Sequence, residues 1–328
     1  MYVIENDNTK PQYNLALEEC LCLLGMRDNK SRFFMLWRNE PSVIVGRFQN
    51  TLEEINAACV EERGIHVVRR NSGGGAVYHD LGNINYSFVL PDFHGDFDFE
   101  FFTGPIIRAL AKLGVQAELS GRNDLAIDGK KISGGAQFRR GGIILHHGTL
   151  LYDSDLDVLS DALRPSEDKF QSKAIKSLRG RVTNIKPYLP EPLPVMEFKR
   201  RLQDAFENLT PMTLDSDAMA ETDKLLHEKY STREWNYGNS PRFTERKKAR
   251  FAWGGVESFL VVDKGIITEC SFNGDYFGDG DYSPILSRVL GLAYTKECVA
   301  AALSGLDTHA TFAGSTAEDI VTLLSPEI

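Results

Sequence analysis

Cysteine is scarce in this chain: Cys20, Cys22, Cys59, Cys270 and Cys298 are scattered, odd in number and without metal-type spacing. That excludes a zinc or iron–sulfur module read from sequence and points to a reducing compartment, the cytoplasm. Cys20 and Cys22 fall in a helical pattern, where buried thiols are the better reading. Long apolar runs are missing, so no membrane span is expected, and the N-terminus has no secretory pattern. A basic excess is missing as well. The formal net charge of −9 argues against a nucleic-acid-coating protein. With 42% hydrophobic and 25% charged residues, neither a disordered nor a fibrous reading is attractive. At 328 residues, one large domain plus a smaller one is the natural expectation.

What is present is organised. Asn14 can cap a helix whose apolar positions Leu17, Cys20, Leu21 and Leu24 follow helical spacing. Thr51 and Glu54 form a capping-box pattern for a second helix, ended by Gly64. The strand IHVV follows, and then NINYSFVL alternates as a half-buried strand. Ile106, Leu110 and Leu113 mark a further helix. LAIDGKKIS carries Asp128-Gly129 between strand-like flanks, a strong hairpin signal, and GAQFRRGGIILHHGTLLY reads as another strand pair. A proline-rich joint spans 188–194, and a boundary near RFTERKKARFAWGG opens a small strand-and-helix module. Hairpin-linked strands that outnumber the helices favour a mixed or antiparallel sheet with packed helices over a doubly wound fold.

The stretch 69-RRNSGGGAVYHDLGNINYSF-88 compresses two arginines, three glycines and a histidine into a strand end. It matches no familiar phosphate loop. GxxxxGK[ST] is absent, and GxGxxG fails because Ala76, Val77 and Tyr78 continue as strand. A plain turn or bulge explains glycine triplets as readily as a ligand does. With Arg70 at the rim, glycine N–H groups aimed at phosphate oxygens become credible, so a nucleotide is plausible on these grounds alone.

Pairing LAIDGKKIS about a two-residue turn sets Ala126 opposite Lys131, Leu125 opposite Ile132 and Asp124 opposite Ser133. Asp124, Ala126, Lys131 and Ser133 then share one face, and Leu125, Ile127 and Ile132 the other. The first face offers a carboxylate, a hydroxyl and an ammonium over a small residue, which is room for a ligand. A lysine is ordinarily just solvated, and the bland reading stands beside the pocket reading. From Lys169 to Lys186, six basic residues occur without an acid: either a solvated face or an anion-handling loop.

Several stretches together resemble the lipoate–protein ligase family, in family order over nearly the whole chain. They are RRNSGGGAVYHDLGN (69–83), GRNDLAIDGKKISGGAQ (121–137), HHGTLLYD (146–153) and KAIKSLRGRVTN (173–184). LALEEC (15–20), LWRNEPSVIVGRFQN (36–50) and EWNYG (234–238) add support. The resemblance implies an α+β catalytic domain with a mixed or antiparallel sheet, like biotin ligases and class II aminoacyl-tRNA synthetases, over 1–245. A small α+β accessory domain over 246–328 would follow. It also implies two reactions. Lipoate attacks the α-phosphate of ATP, with Mg2+ present, to give lipoyl-AMP and pyrophosphate. A lysine amine of a lipoyl-carrier domain (2-oxoacid dehydrogenase E2 subunits, glycine cleavage H protein) then takes the lipoyl group and releases AMP.

By the same resemblance, Lys131 would touch both the lipoate carboxylate and the α-phosphate. Arg70 and the backbone of Gly75, Ala76, Val77 and Tyr78 match nucleotide contacts, with Ser72, His79, Asn83 and Asp124 as further candidates. Asp124 is a candidate magnesium ligand. Gly74, Gly75 and His147 join Lys131 around lipoate, with His147 near the junction of acyl group and phosphate. His146 and His147 can equally be hydrogen-bonded structural residues. Lys173 to Arg181 resembles the family's closing loop, suited to acidic carrier domains. Trp37, Val43, Val45 and Val77 are candidates for the apolar slot, although such residues are commonly core. A monomer without nucleic-acid or membrane partners is implied.

Three enzymatic alternatives and a binding module compete with this reading. A lipoyl or octanoyl transferase working through an acyl-cysteine needs a pocket thiol, and no cysteine falls in the motifs. A transferase taking preformed acyl-AMP would carry the same adenylate site. Biotin ligase is disfavoured by its different glycine–arginine signature. A binding module would leave a pocket lysine beside a basic loop unexplained.

Overall fold

The computed structural model describes residues 1–91, 98–163, 181–238 and 243–326. Its largest sheet has eight strands: β1 (Tyr2–Ile4), β2 (Phe33–Trp37), β6 (Asn83–Pro91), β7 (Glu118–Ser120), β8 (Asp124–Ile127), β9 (Lys130–Arg140), β10 (Ile143–Leu151) and β11 (Thr210–Met212). Their order is β11-β1-β2-β6-β10-β9-β8-β7. β11, β1 and β2 run parallel, and each later neighbour is antiparallel. A smaller sheet joins β3 (Ser42–Val45) in parallel to β4 (His66–Arg69) and antiparallel to β5 (Val77–His79). The expected mixed sheet is therefore present.

Helices cover both faces of the large sheet, which alters the reading of β6. Ile84, Tyr86, Phe88 and Leu90 enter one core, with Phe34, Leu36, Ile106 and Leu110. Val89 enters the other, with Phe33, Met35 and Trp37 and with Leu15 and Leu21 of the helix Pro11–Asp28. The strand is buried on both sides rather than half-buried, so Asn85 and Ser87 must find partners inside.

Two helix starts also differ from expectation. The first helix begins at Pro11, whose missing N–H costs nothing at that position. Asn14 therefore lies a turn inside, fully buried, accepting from Asn6 and donating to Asn39. The second splits into Thr51–Glu54 and Ala57–Glu62, each preceded by an asparagine. Thr51 forms no capping box; its hydroxyl donates to the Asn236 carbonyl and accepts from Arg69.

The last strands form a separate sheet: β12 (Glu245–Phe251), β13 (Gly254–Asp263) and β14 (Ile266–Gly274). With the helices Ser283–Val289, Lys296–Leu303 and Ala317–Leu324 they enclose their own core around Tyr276 and Phe312. Phe48, from far earlier in the chain, stacks on Tyr276 at 4.9 Å and belongs to that core. Among the described residues, no helix is long and apolar enough to cross a membrane.

Candidate functional site

The glycine stretch leaves β4 and returns as β5. Gly74 has φ 89°, a left-handed conformation that favours glycine. Its N–H donates to the Tyr276 carbonyl at 3.1 Å, and a Cβ on Gly73 would collide with that same carbonyl. The triplet thus admits the backbone of the C-terminal unit, a demand that sequence did not reveal. Arg70 is buried beneath it. Its Nε donates to Ser72 Oγ at 2.9 Å, Nη1 to the Ile44 carbonyl, and Nη2 to the carbonyls of Gly73 and Gly75 at 2.7 and 2.8 Å. Only one of the guanidinium's five N–H groups is left over among the described residues. Arg70 therefore staples the loop and does not hold a free fork for phosphate. Burial pulls its pKa down to about 10.

The hairpin turns on Asp128 and Gly129, with φ 51° and 72°, as the Asp-Gly pair requires. Ala126 pairs with Lys131 as expected, but a bulge follows: Leu125 faces Ser133 and Asp124 faces Gly134. One extra residue on β9 moves Ser133 to the Leu125 side, where it is 1% exposed. Ser133 thus leaves the ligand face. Lys131 and Asp124 remain there, ion-paired at 2.8 Å and both partly exposed.

These side chains stand where two cavities meet. A narrow arm of about 140 Å³ reaches Leu15, Trp37, Ile44 and Val77. A wide cavity of about 770 Å³ opens between the glycine loop and the β12–β13 hairpin. Gly74, Gly75, Ala76, Val77, Asn123, Lys131, Thr149 and Phe277 line both. Tyr78 and Asp124 line only the wide cavity; Arg70, His79 and His147 line only the narrow arm. Ser72 and Asn83 line neither: Ser72 bridges Arg70 and His147, and Asn83 donates to Asn85. Val43 and Val45 face away into another core, because β3 alternates and Ile44 takes the cavity side. Of the expected basic loop, Lys173–Arg181, all but Arg181 lie outside the described residues; Arg181 lines the wide cavity.

The paired histidines separate as alternation dictates. His146 is buried and stacks on Phe102 at 4.7 Å. His147 lies in the narrow arm rather than at the junction, which Thr149 occupies two residues further along β10. Its Nε2 meets Ser72 Oγ at 2.6 Å and its Nδ1 meets Glu18 at 3.0 Å. Glu18 also accepts from Ser87, which accepts from Trp37 Nε1 at 2.7 Å. Sequence reasoning missed Glu18, although an acid within the apolar pattern LALEEC was a usable signal. It missed Thr149, Asn123 and Phe277 as well. No cysteine lines either cavity among the described residues.

Residues 10–207 match the lipoyl protein ligase A/B catalytic domain and residues 240–324 the bacterial lipoate protein ligase C-terminus. The chain belongs to the lipoyl protein ligase A/B family. Among family relatives, lipoate-protein ligase LplJ of Bacillus subtilis is 43% identical, over 99% of this chain and 100% of that protein. The LipL1 structure from P. falciparum, in complex with lipoate, superposes with a TM-score of 0.75 at 25% identity, covering 93% of this chain and 94% of that one. A lipoate-protein ligase A bound with ATP gives 0.64 at 28% identity, covering 72% of this chain and 99% of that one.

Proposed function

We propose that this chain is an ATP-dependent lipoate–protein ligase in which the narrow arm takes the acyl chain and the wide cavity takes the nucleotide. The observation that carries the reading is the position of Lys131, which lines both cavities at their junction. Lipoate carboxylate and ATP α-phosphate repel one another, and a fixed cation between them removes that obstacle in a partly desolvated site. Asp124 holds the ammonium in place until substrates displace it.

In the first step a carboxylate oxygen forms a bond to the α-phosphorus and pyrophosphate departs. In the second, an acceptor lysine amine attacks the acyl carbon, an amide forms, and AMP leaves with the electron pair. Acceptors are lipoyl-carrier domains, whose acidic surfaces suit Arg181 on the wall of the wide cavity. Among the described residues no cluster of three metal-ligating side chains exists, which fits an ion held chiefly by phosphate oxygens, as magnesium commonly is. Asp124 would hold it from the protein side, and the ion would neutralise phosphate charge. The chain acts as a monomer on this reading.

Lys131→Ala is expected to lower lipoate-dependent ATP–pyrophosphate exchange by at least a thousandfold while leaving the melting temperature within a few degrees. Exchange near the wild-type rate in a folded variant would refute the assignment.

A further inference from the structure

The narrow arm contains a polar group that nothing else in the fold uses. His79, 4% exposed, has no hydrogen-bond partner at Nε2 among the described residues, although buried polar groups are normally paired. Its other nitrogen is tied by a chain of amides. Asn85 Oδ1 accepts from Asn83 at 2.7 Å, and Asn39 Oδ1 accepts from Asn14 at 2.8 Å. Both asparagines must therefore present their NH2 groups to His79 Nδ1, at 3.4 and 3.1 Å. Nδ1 is the acceptor, so in the neutral ring Nε2 carries the hydrogen. Burial, reinforced by Arg70 and His147, holds the imidazole neutral, with its pKa pushed down to about 3.

The ring's depth is set by its strand. Val77, on β5, lines both cavities, whereas His79 lines only the narrow arm. Two residues along a strand is about 7 Å, and Val77 and His79 share a face. Lys131 and Val77 both line the cavity junction, so on this reading a chain whose carboxylate sits at Lys131 extends along β5 toward His79. Trp37, whose ring lies T-shaped to the imidazole with centroids 6.0 Å apart, and Leu15 close the surroundings with apolar surface.

We propose that His79 is a specificity-determining residue whose Nε2–H donates to a sulfur of the cyclic disulfide at the end of lipoate. This rests on the reading of the narrow arm as the acyl cavity. A plain alkyl chain such as octanoate leaves that donor buried and unpaired, so the site selects against it.

The test is calorimetric binding of lipoate and octanoate to the full-length wild type, His79→Leu and His79→Gln. The wild type should prefer lipoate. His79→Leu should weaken lipoate by about tenfold more than octanoate, since it strands the Asn39 and Asn85 amides for both ligands alike but removes the sulfur-facing donor that only lipoate uses. His79→Gln, which restores an N–H donor, should recover most of the preference. Equal weakening of both ligands, or no change in their ratio, would overturn the proposal by reducing His79 to a wall. Octanoate serves as the internal control for folding. Failure of the ligase reading is separate: it would appear as absent lipoate-dependent pyrophosphate exchange in the wild type, whatever the binding ratio.

Discussion

Two adjacent arginines, Arg69 and Arg70, both spend their guanidinium groups chiefly on backbone carbonyls around the glycine loop. Arg69 Nη1 alone donates to the carbonyls of Gly46, Arg47 and Gln49 at 2.7–2.9 Å. Removing it strands buried acceptors, each costing about 1–3 kcal/mol. Arg69→Ala should therefore lower stability by at least about 3 kcal/mol in urea unfolding, and lysine should not rescue it because one ammonium cannot reproduce the planar fork. A loss under about 1 kcal/mol would contradict the role given to these bonds. Sequence showed both arginines at a strand end but could not say where either would point. The same holds for His146 and His147, where alternation guarantees opposite faces without choosing between them. Asn14 misled for a definite reason: Pro11 starts the helix earlier, and an asparagine a turn inside is free to become a buried hub.

At the scale of elements, the β8–β9 hairpin and the glycine loop are the working parts. The hairpin was legible because Asp-Gly fits the left-handed turn that joins twisted strands. Its bulge was not, since alternation looks identical until one residue slips, and Ser133 then changes sides. The glycine loop was legible as a close-approach segment, but what approaches is partly the Tyr276 carbonyl, some two hundred residues away in sequence. A Gly73→Ala substitution should force that contact apart. The expected results are a lower melting temperature and slower lipoyl-AMP formation, by about tenfold, with a smaller effect on transfer from preformed lipoyl-AMP. Unaltered lipoyl-AMP formation would mean that docking of the C-terminal unit on this loop is incidental.

For the whole molecule, the wide cavity exists only because the C-terminal unit packs over the glycine loop. Trp253, Gly254, Gly255 and Phe277 supply one wall, with Phe277 reaching the junction beside Lys131. Arg122 clamps that ring at 4.7 Å and donates to the Trp253 carbonyl. Lys248 and Arg250 bring two cations to the same cavity. Replacing both by alanine should lower kcat/KM for ATP in activation about tenfold, with less effect on acyl transfer, because the triphosphate carries more charge than AMP. Parallel losses in both half-reactions would count against that division. The sequence motif RFTERKKARFAWGG suggested a small strand-and-helix module, but its share in the site was not legible, since no local pattern encodes a wall between distant segments. The central claim is tested most directly by the crystal structure of this protein with lipoyl-AMP bound. Lys131 Nζ should leave Asp124 and lie within about 3.2 Å of both an acyl oxygen and an α-phosphate oxygen. An adenylate seated across the two cavities with Lys131 turned toward solvent would contradict it.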